Sequence, residues 1–160
     1  MARSTERRPL PGDLQARSHR PRHRPALTRG TRHMTDVVNH PAHYTQSRFT
    51  CECIDITRHM TFLAGNASKY IWRFAEKNGV EDLRKAAVYL RWAIEDGGTA
   101  VLYGRENLVF ELVRDHVVLP LYRQPDAAPV YDALVKIGQF SDFEAALELV
   151  ESAIRDYEAA

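Results

Sequence analysis

Apolar residues recur at the spacing of an α-helix over much of the chain. The two strongest stretches predict helices over residues 61–77 and 80–95, because apolar side chains at intervals of three and four residues line one face of each. Asn78-Gly79 lies between them and predicts the end of the first helix. Helices joined by so short a turn are expected to pack as an antiparallel hairpin.

The first hairpin helix has an amide near its apolar stripe. The positions predicted to face inward are Phe62, Leu63, Asn66, Tyr70, Ile71 and Phe74. An unpaired amide on a buried face would be costly, so Asn66 is expected to have a polar partner or a ligand.

Weaker helical patterns continue on both sides of the hairpin. Shorter helices are predicted over residues 50–60, 106–118 and 130–137, and Ser141 with Glu144 predicts the capping box of a final helix. No stretch alternates convincingly in the manner of a strand. The sequence therefore predicts an all-α fold: a compact helical domain with a central antiparallel hairpin, additional C-terminal helices and a disordered basic N-terminal arm.

Charge separates the beginning of the chain from the remainder. Lys and Arg number 22 against 21 Asp and Glu, yet residues 1–33 contain nine Arg and only two acids. This segment lacks the apolar residues needed to fold, which predicts a disordered arm over residues 1–35. An extension made from an upstream start is preferred to a nucleic-acid-binding arm, because no aromatic residue is interleaved with the arginines. After the arm, we predict a helical core over residues 36–98 and a C-terminal helical extension over residues 99–160.

Several classes of protein are disfavoured. No run approaches the roughly 20 apolar residues of a membrane span, and the N-terminus has no apolar signal segment. Cys51 and Cys53 are too close in sequence to suit a mutual disulfide, so a reduced, intracellular protein is expected. The glycine-rich motifs of P-loop kinases and of dinucleotide-binding folds are absent from the sequence.

The first candidate site is the run Asn39-His40-Pro41-Ala42-His43-Tyr44. His40 and His43 are suited to general acid or base chemistry near neutral pH, and Asn39 and Tyr44 can hold a base or a phosphate. The alternative is a structural turn whose polar side chains cap helices. Both interpretations stay open on the residues alone.

The second candidate is a set of acids on two helices. Glu52 and Asp55 are three positions apart, so they share a helix face, and Asp82 follows on a later helix. Together they are candidate ligands of Mg²⁺. The alternative is that Glu81 and Asp82 only complement a helix N-terminus while the earlier acids pair with cations. Lys85 either orients Asp82 or faces a phosphate.

The third candidate is a strip of polar residues on the first hairpin helix. Asn66, Lys69 and Arg73 recur at intervals of three and four residues and suit phosphate oxygens. Tyr70 and Trp72 are candidates for stacking on a base. The alternative is that both aromatic side chains belong to the core and the cations are solvated.

The order of these motifs along the chain resembles that in a small phage and prophage family identified as nucleotide kinase-like. The matching motifs are NHPxHY from Asn39, ECID from Glu52, GNAxKYxWR from Gly65 and GVEDLxKA from Gly79, covering about residues 37–94. The resemblance implies a homo-oligomer in the cytoplasm of a bacterial host. It also implies transfer of a phosphoryl group from a nucleoside triphosphate to a deoxynucleoside monophosphate without a P-loop.

This resemblance suggests a role for each candidate. Lys69, Arg73 and Lys85 would contact phosphates, His40 or His43 would transfer a proton or bind phosphate, and Asn39, Tyr44 and Asn66 would position the nucleotide. One alternative is an all-α nucleotide pyrophosphohydrolase of the MazG type, although Arg84 and Lys85 depart from its paired acids. Another is a protein that sequesters a nucleotide or binds a host protein without catalysis.

Overall fold

The computed structural model describes residues 48–124 and 126–160, so the predicted N-terminal arm lies outside the described residues. In chain order the elements are α1 (Cys53–Thr57), α2 (Phe62–Arg73), α3 (Val80–Asp96), α4 (Glu106–Val113), a π-helical turn (Arg114–Val118), α5 (Leu119–Tyr122), a 3-10 turn (Pro129–Tyr131), α6 (Asp132–Phe140) and α7 (Phe143–Ala159). Within these residues no strand forms beyond an isolated bridge between Met60 and Val101. The prediction of an all-α fold is confirmed.

Helices α2 and α3 form the predicted antiparallel hairpin at the centre of the fold. Arg73 at the end of α2 lies beside Asp82 in the first turn of α3, and Phe62 at the start of α2 lies beside Tyr89. Helix α2 ends four residues earlier than predicted, and Gly79, with a φ of 55°, precedes α3 as its N-cap. Gly97 ends α3 in the left-handed conformation.

The buried face of the hairpin differs in part from the predicted face. Phe62 is 74 % exposed, and Asn66 and Tyr70 are only half-buried. Small side chains allow close helix packing, so Ala64 and Ala67 are fully buried, whereas Phe62, Asn66 and Tyr70 turn toward solvent. The fully buried positions at this interface are Ala64, Ala67 and Ile71 on α2 and Leu83, Ala86 and Leu90 on α3.

The C-terminal helices pack against the hairpin and share its hydrophobic core. Helix α7 lies along α3, and α6 contacts both α2 and α7. Helices α4 and α6 approach so closely that a Cβ at Gly138 would lie 2.6 Å from Val113 Cγ2. Glycine is therefore required at this position by the packing of the two helices.

The start of α7 lies one residue later than the predicted capping box implies. The Asp142 carboxylate accepts a hydrogen bond from the Ala145 N–H, so Asp142 is the N-cap. Ser141 instead adopts a φ of 52°, and its Oγ accepts a hydrogen bond from the Ala100 N–H. Ser141 thus ties the loop after α3 to the α6–α7 turn.

Helices long and apolar enough to cross a membrane are not found in residues 48–124 and 126–160.

Candidate functional site

The outward face of the hairpin gathers three cations around one half-buried tyrosine ring. Lys69 Nζ lies 4.5 Å, Arg73 Cζ 4.9 Å and Lys85 Nζ 6.0 Å from the centroid of Tyr70. Attraction to the electron-rich ring face helps to hold these positive charges together. Because Lys85 comes from α3 and the others from α2, the antiparallel hairpin creates this group, which we call the Tyr70 cluster.

Arg73 is the cation of the Tyr70 cluster that is balanced by a buried carboxylate. Its Nε and Nη2 donate to the two carboxylate oxygens of Asp82 at 3.0 and 3.4 Å, and Asn78 Nδ2 donates to the same carboxylate at 3.0 Å. The Asp82 side chain is fully buried and that of Arg73 nearly so. The pair joins the end of α2 to the start of α3, which is a structural role. Asp82, predicted as a metal ligand, is engaged on both oxygens by protein donors.

Lys85 is balanced by an exposed carboxylate one helical turn away. Its Nζ lies 2.5 Å from Glu81 Oε1, so Lys85 pairs with Glu81 rather than with Asp82. The hydrogen bond from this ammonium to Glu81 raises the pKa of Lys85. Both side chains are accessible to solvent, so an incoming anion can replace Glu81 as the partner of Lys85.

Lys69 has a neutral partner. Its Nζ donates to Asn66 Oδ1 at 2.7 Å, and Asn66 Nδ2 donates to the Phe62 carbonyl oxygen at 2.8 Å, which fixes the amide. Burial and then the nearby Arg73 charge lower the pKa of Lys69. In the described part of the chain no carboxylate forms a salt bridge with Lys69. Among the described residues, Lys69 is therefore the cation of the cluster that lacks a salt-bridge partner.

The predicted metal ligands do not converge. Glu52 and Asp55 form a reciprocal capping box at the start of α1, where the Glu52 N–H donates to Asp55 Oδ2 at 3.0 Å. Across the two described ranges, no group of three or more His, Cys, Asp or Glu side chains is placed to hold a metal ion. The carboxylates of Glu52, Asp55 and Asp82 therefore do not fit a shared Mg²⁺ site.

Trp72, predicted to stack on a base, lies in the core. Its side chain is 2 % exposed and packs against Phe49, with ring centroids 4.1 Å apart. A buried ring cannot offer a face to a ligand, so the structure corrects this assignment. Tyr70 remains at the site, but three cations and a neighbouring ring surround it.

Three aromatic residues missed by the sequence prediction extend the Tyr70 cluster along the hairpin. Tyr89 stacks on Tyr70 at 5.8 Å with an interplanar angle of 24°. Phe62 and Trp92 stand nearly perpendicular to Tyr89 at 6.2 and 5.4 Å. Phe62 is 74 % and Trp92 48 % exposed. We call Phe62, Tyr89 and Trp92 the aromatic row. Helical spacing placed Phe62 on the predicted buried face, and the sequence prediction gave Tyr89 and Trp92 no role.

The remaining candidates contribute little to the described geometry. Asn39, His40, His43 and Tyr44 lie outside the described residues. The two cysteines are free thiols, and burial raises the pKa of each to about 12. Both thiols therefore stay protonated near neutral pH and are poor nucleophiles.

A cavity of about 430 Å³ lies apart from the Tyr70 cluster. Val118, Leu121, Ala127, Val135 and other residues with no Lys or Arg among them form its lining. None of the predicted site residues that the structure describes lines it. A pocket without cations is a poor anion site, so the outward face of the hairpin is the better candidate.

Comparisons with known proteins leave the activity open. Residues 38–91 match the family model DUF3310, which is described as a protein of unknown function. No curated protein and no solved structure matches the chain. The matched third of the chain contains α1, α2 and most of α3, so it includes the whole Tyr70 cluster.

Proposed function

We propose that the outward face of the hairpin binds the phosphate of a deoxynucleotide, and that the protein is a nucleoside monophosphate kinase without a P-loop. The observation that supports this most is Lys69, a partly buried ammonium whose hydrogen-bond partner is a neutral amide. Its lowered pKa means that its surroundings disfavour the charged form. A bound phosphate would reverse that penalty, which favours anion binding at this position.

The neighbouring residues suit a phosphate group that carries more than one negative charge. Lys85 lies on the same tyrosine ring and forms its salt bridge with the exposed Glu81, so it can turn to a second phosphate oxygen. Bonds from cations to phosphate are shorter and stronger than bonds between neutral groups. Arg73 keeps its carboxylate partner and acts as a positioning residue, which holds Tyr70 and the two lysines in place.

Phosphoryl transfer requires mainly positioning and neutralisation of charge, which this face can supply. A phosphate oxygen of the monophosphate attacks the γ-phosphorus of the triphosphate, and the bond from that phosphorus to the β-phosphate oxygen breaks. The products are two diphosphates. Mg²⁺ would enter bound to the triphosphate as part of the substrate, while His40 and His43 stay the candidates for proton transfer.

The carboxylates favour this reaction over pyrophosphohydrolysis of the MazG type. That chemistry relies on paired acids that hold metal ions between helices. Here the Asp82 charge is already balanced by Arg73, and Glu52 and Asp55 cap α1. A protein that only sequesters nucleotides would use the same cations, so measurement of product separates it from the kinase.

The motif resemblance supports a phage or prophage protein that works as a homo-oligomer in the bacterial cytoplasm. The two free thiols agree with a reducing compartment.

The direct experiment is to incubate the purified full chain with each deoxynucleoside monophosphate, a nucleoside triphosphate and Mg²⁺, and to separate the products by chromatography. We expect both diphosphates to form in equal amounts. Release of pyrophosphate would instead indicate the hydrolase. Absence of turnover with every deoxynucleotide, together with tight binding by calorimetry, would overturn the kinase and indicate sequestration.

A further inference from the structure

We propose that the aromatic row is the base-binding subsite for the nucleotide whose phosphate lies on Lys69. This inference rests on the proposed function and adds how the rest of the ligand is held. Phe62, Tyr89 and Trp92 would contact the base, while the Tyr70 cluster holds the phosphate. The ligand class is then a nucleotide, and a sugar phosphate without a base would bind less tightly.

The outer rings of the aromatic row are exposed to solvent. Trp92 and Phe62 keep about half and three quarters of their surface in solvent, although both lie in the central hairpin. Tyr89 contacts both rings, so they form one continuous surface. Bases stack on such aromatic surfaces, and loss of a single stacking side chain commonly weakens binding by about 5- to 100-fold.

The aromatic row is continuous with the cations of the Tyr70 cluster. Tyr70 carries Lys69 on its ring and stacks on Tyr89, so the phosphate site and the aromatic row share one ring contact. Both helices run along this face, with Lys85, Tyr89 and Trp92 spaced by four and three residues on α3. A ligand with a phosphate at one end and a flat apolar ring at the other matches this order.

The two ends of this surface differ in charge. The far end of the aromatic row borders a cavity of about 240 Å³ that is lined by Phe62, Leu63, Ala93 and the carboxylate-bearing Asp96, among others. Negative charge at that end repels a phosphate, whereas Lys69 and Lys85 attract it at the other end. The nucleotide is therefore oriented with its phosphate toward Arg73 and its base toward Trp92.

Recognition by stacking also sets the expected specificity. Every base has an aromatic face, so a stacking surface accepts all of them and favours larger rings. We expect dGMP and dAMP to bind somewhat more tightly than dTMP and dCMP. We expect each of them to bind more tightly than 2-deoxyribose 5-phosphate.

The chain offers a specific optical test, because its two tryptophans differ in exposure. Trp72 is buried and Trp92 is half-exposed, so a base stacked on the aromatic row should quench Trp92 alone. Titration of the full chain with dGMP should quench part of the fluorescence, whereas 2-deoxyribose 5-phosphate should leave it unchanged. In Trp92→Phe the dGMP response should disappear while the Trp72 emission persists.

Affinity measurements complete the test. Trp92→Ala and Phe62→Ala should each weaken dGMP binding by about 5- to 100-fold and leave 2-deoxyribose 5-phosphate binding unchanged. Phe140→Ala is the matched control, since Phe140 is 62 % exposed and lies on α6 outside the hairpin. Circular dichroism should show folded protein in all variants, because the substituted side chains are exposed.

Three outcomes would overturn the inference. If wild-type protein binds dGMP and 2-deoxyribose 5-phosphate equally, and the aromatic variants match it, the base does not contact the row although the phosphate site stands. If neither ligand binds wild-type protein, the proposed function itself fails. If the variants keep dGMP binding but change the sedimentation coefficient, the aromatic row is a contact between copies of the chain.

Discussion

Arg73 and Lys69 lie one helical turn apart on α2, contact the same tyrosine ring and differ in what balances their charge. Arg73 reaches a fully buried carboxylate, whereas Lys69 reaches an amide oxygen. The carboxylate neutralises the charge of Arg73, whereas the amide leaves the charge of Lys69 available to an anionic ligand. Cations in one motif thus differ in whether a carboxylate balances them, and their spacing does not reveal this difference.

The two arrangements also differ in their expected contribution to stability. Removal of one partner of a buried ion pair destabilises the fold, because the other partner is left charged and desolvated. Lys69 is already held in a state that its surroundings disfavour, so its loss should not weaken the fold. The stability of the fold is therefore expected to depend on the Arg73–Asp82 pair at the turn of the hairpin. The affinity for nucleotide is expected to depend on the outward face.

The largest effect is expected from Asp82→Ala, which leaves the Arg73 guanidinium buried without its carboxylate. We expect the free energy of unfolding in urea to fall by about 3–5 kcal/mol. Glu81→Gln is the matched control, because it removes the neighbouring but exposed carboxylate of Lys85, and its effect should be small. Equal stability of the two variants would show that the buried pair does not hold the hairpin.

Lys69→Met should show the opposite behaviour. Loss of one charge-assisted bond to phosphate is expected to weaken deoxynucleotide binding by about 10- to 100-fold and to reduce diphosphate formation, with the urea midpoint unchanged. Lys77→Met is the control, since Lys77 is an exposed lysine in the turn between the hairpin helices. Similar losses in both variants would mean that general positive charge, and not Lys69, attracts the nucleotide.

The hairpin was predictable because two strong amphipathic patterns flank a glycine turn. The face that α2 turns toward α3 was not predictable, because the rings of Phe62 and Tyr70 are also suited to a core. The choice of the smaller Ala64 and Ala67 for the interface depends on how closely α3 approaches. The N-cap of α7 is Asp142 and not the predicted Ser141 for a similar reason. The Ser141 hydroxyl accepts a hydrogen bond from a loop that is distant in sequence.

The candidate site was predictable in its residues and only partly in their roles. Lys69, Tyr70, Arg73 and Lys85 do come together, as a strip on one helix face and a helix start beside it would suggest. The burial of Trp72 and the pairing of Arg73 with Asp82 depend on tertiary contacts. No pattern of spacing encodes those contacts, so the structural and the ligand-binding residues could not be separated beforehand.

Lys69 is proposed to carry a positive charge that a bound phosphate neutralises. The most direct measurement follows the Lys69 side-chain resonance by NMR across a pH titration, with and without saturating dGMP, and Lys69→Arg assigns the signal. In the unliganded protein the pKa of Lys69 should lie below the ordinary value of about 10.4, because burial and Arg73 disfavour its charged form. Phosphate favours that form, so bound dGMP should raise the pKa, and affinity should fall as pH rises through the unliganded value. A pKa that dGMP leaves unchanged would contradict the account.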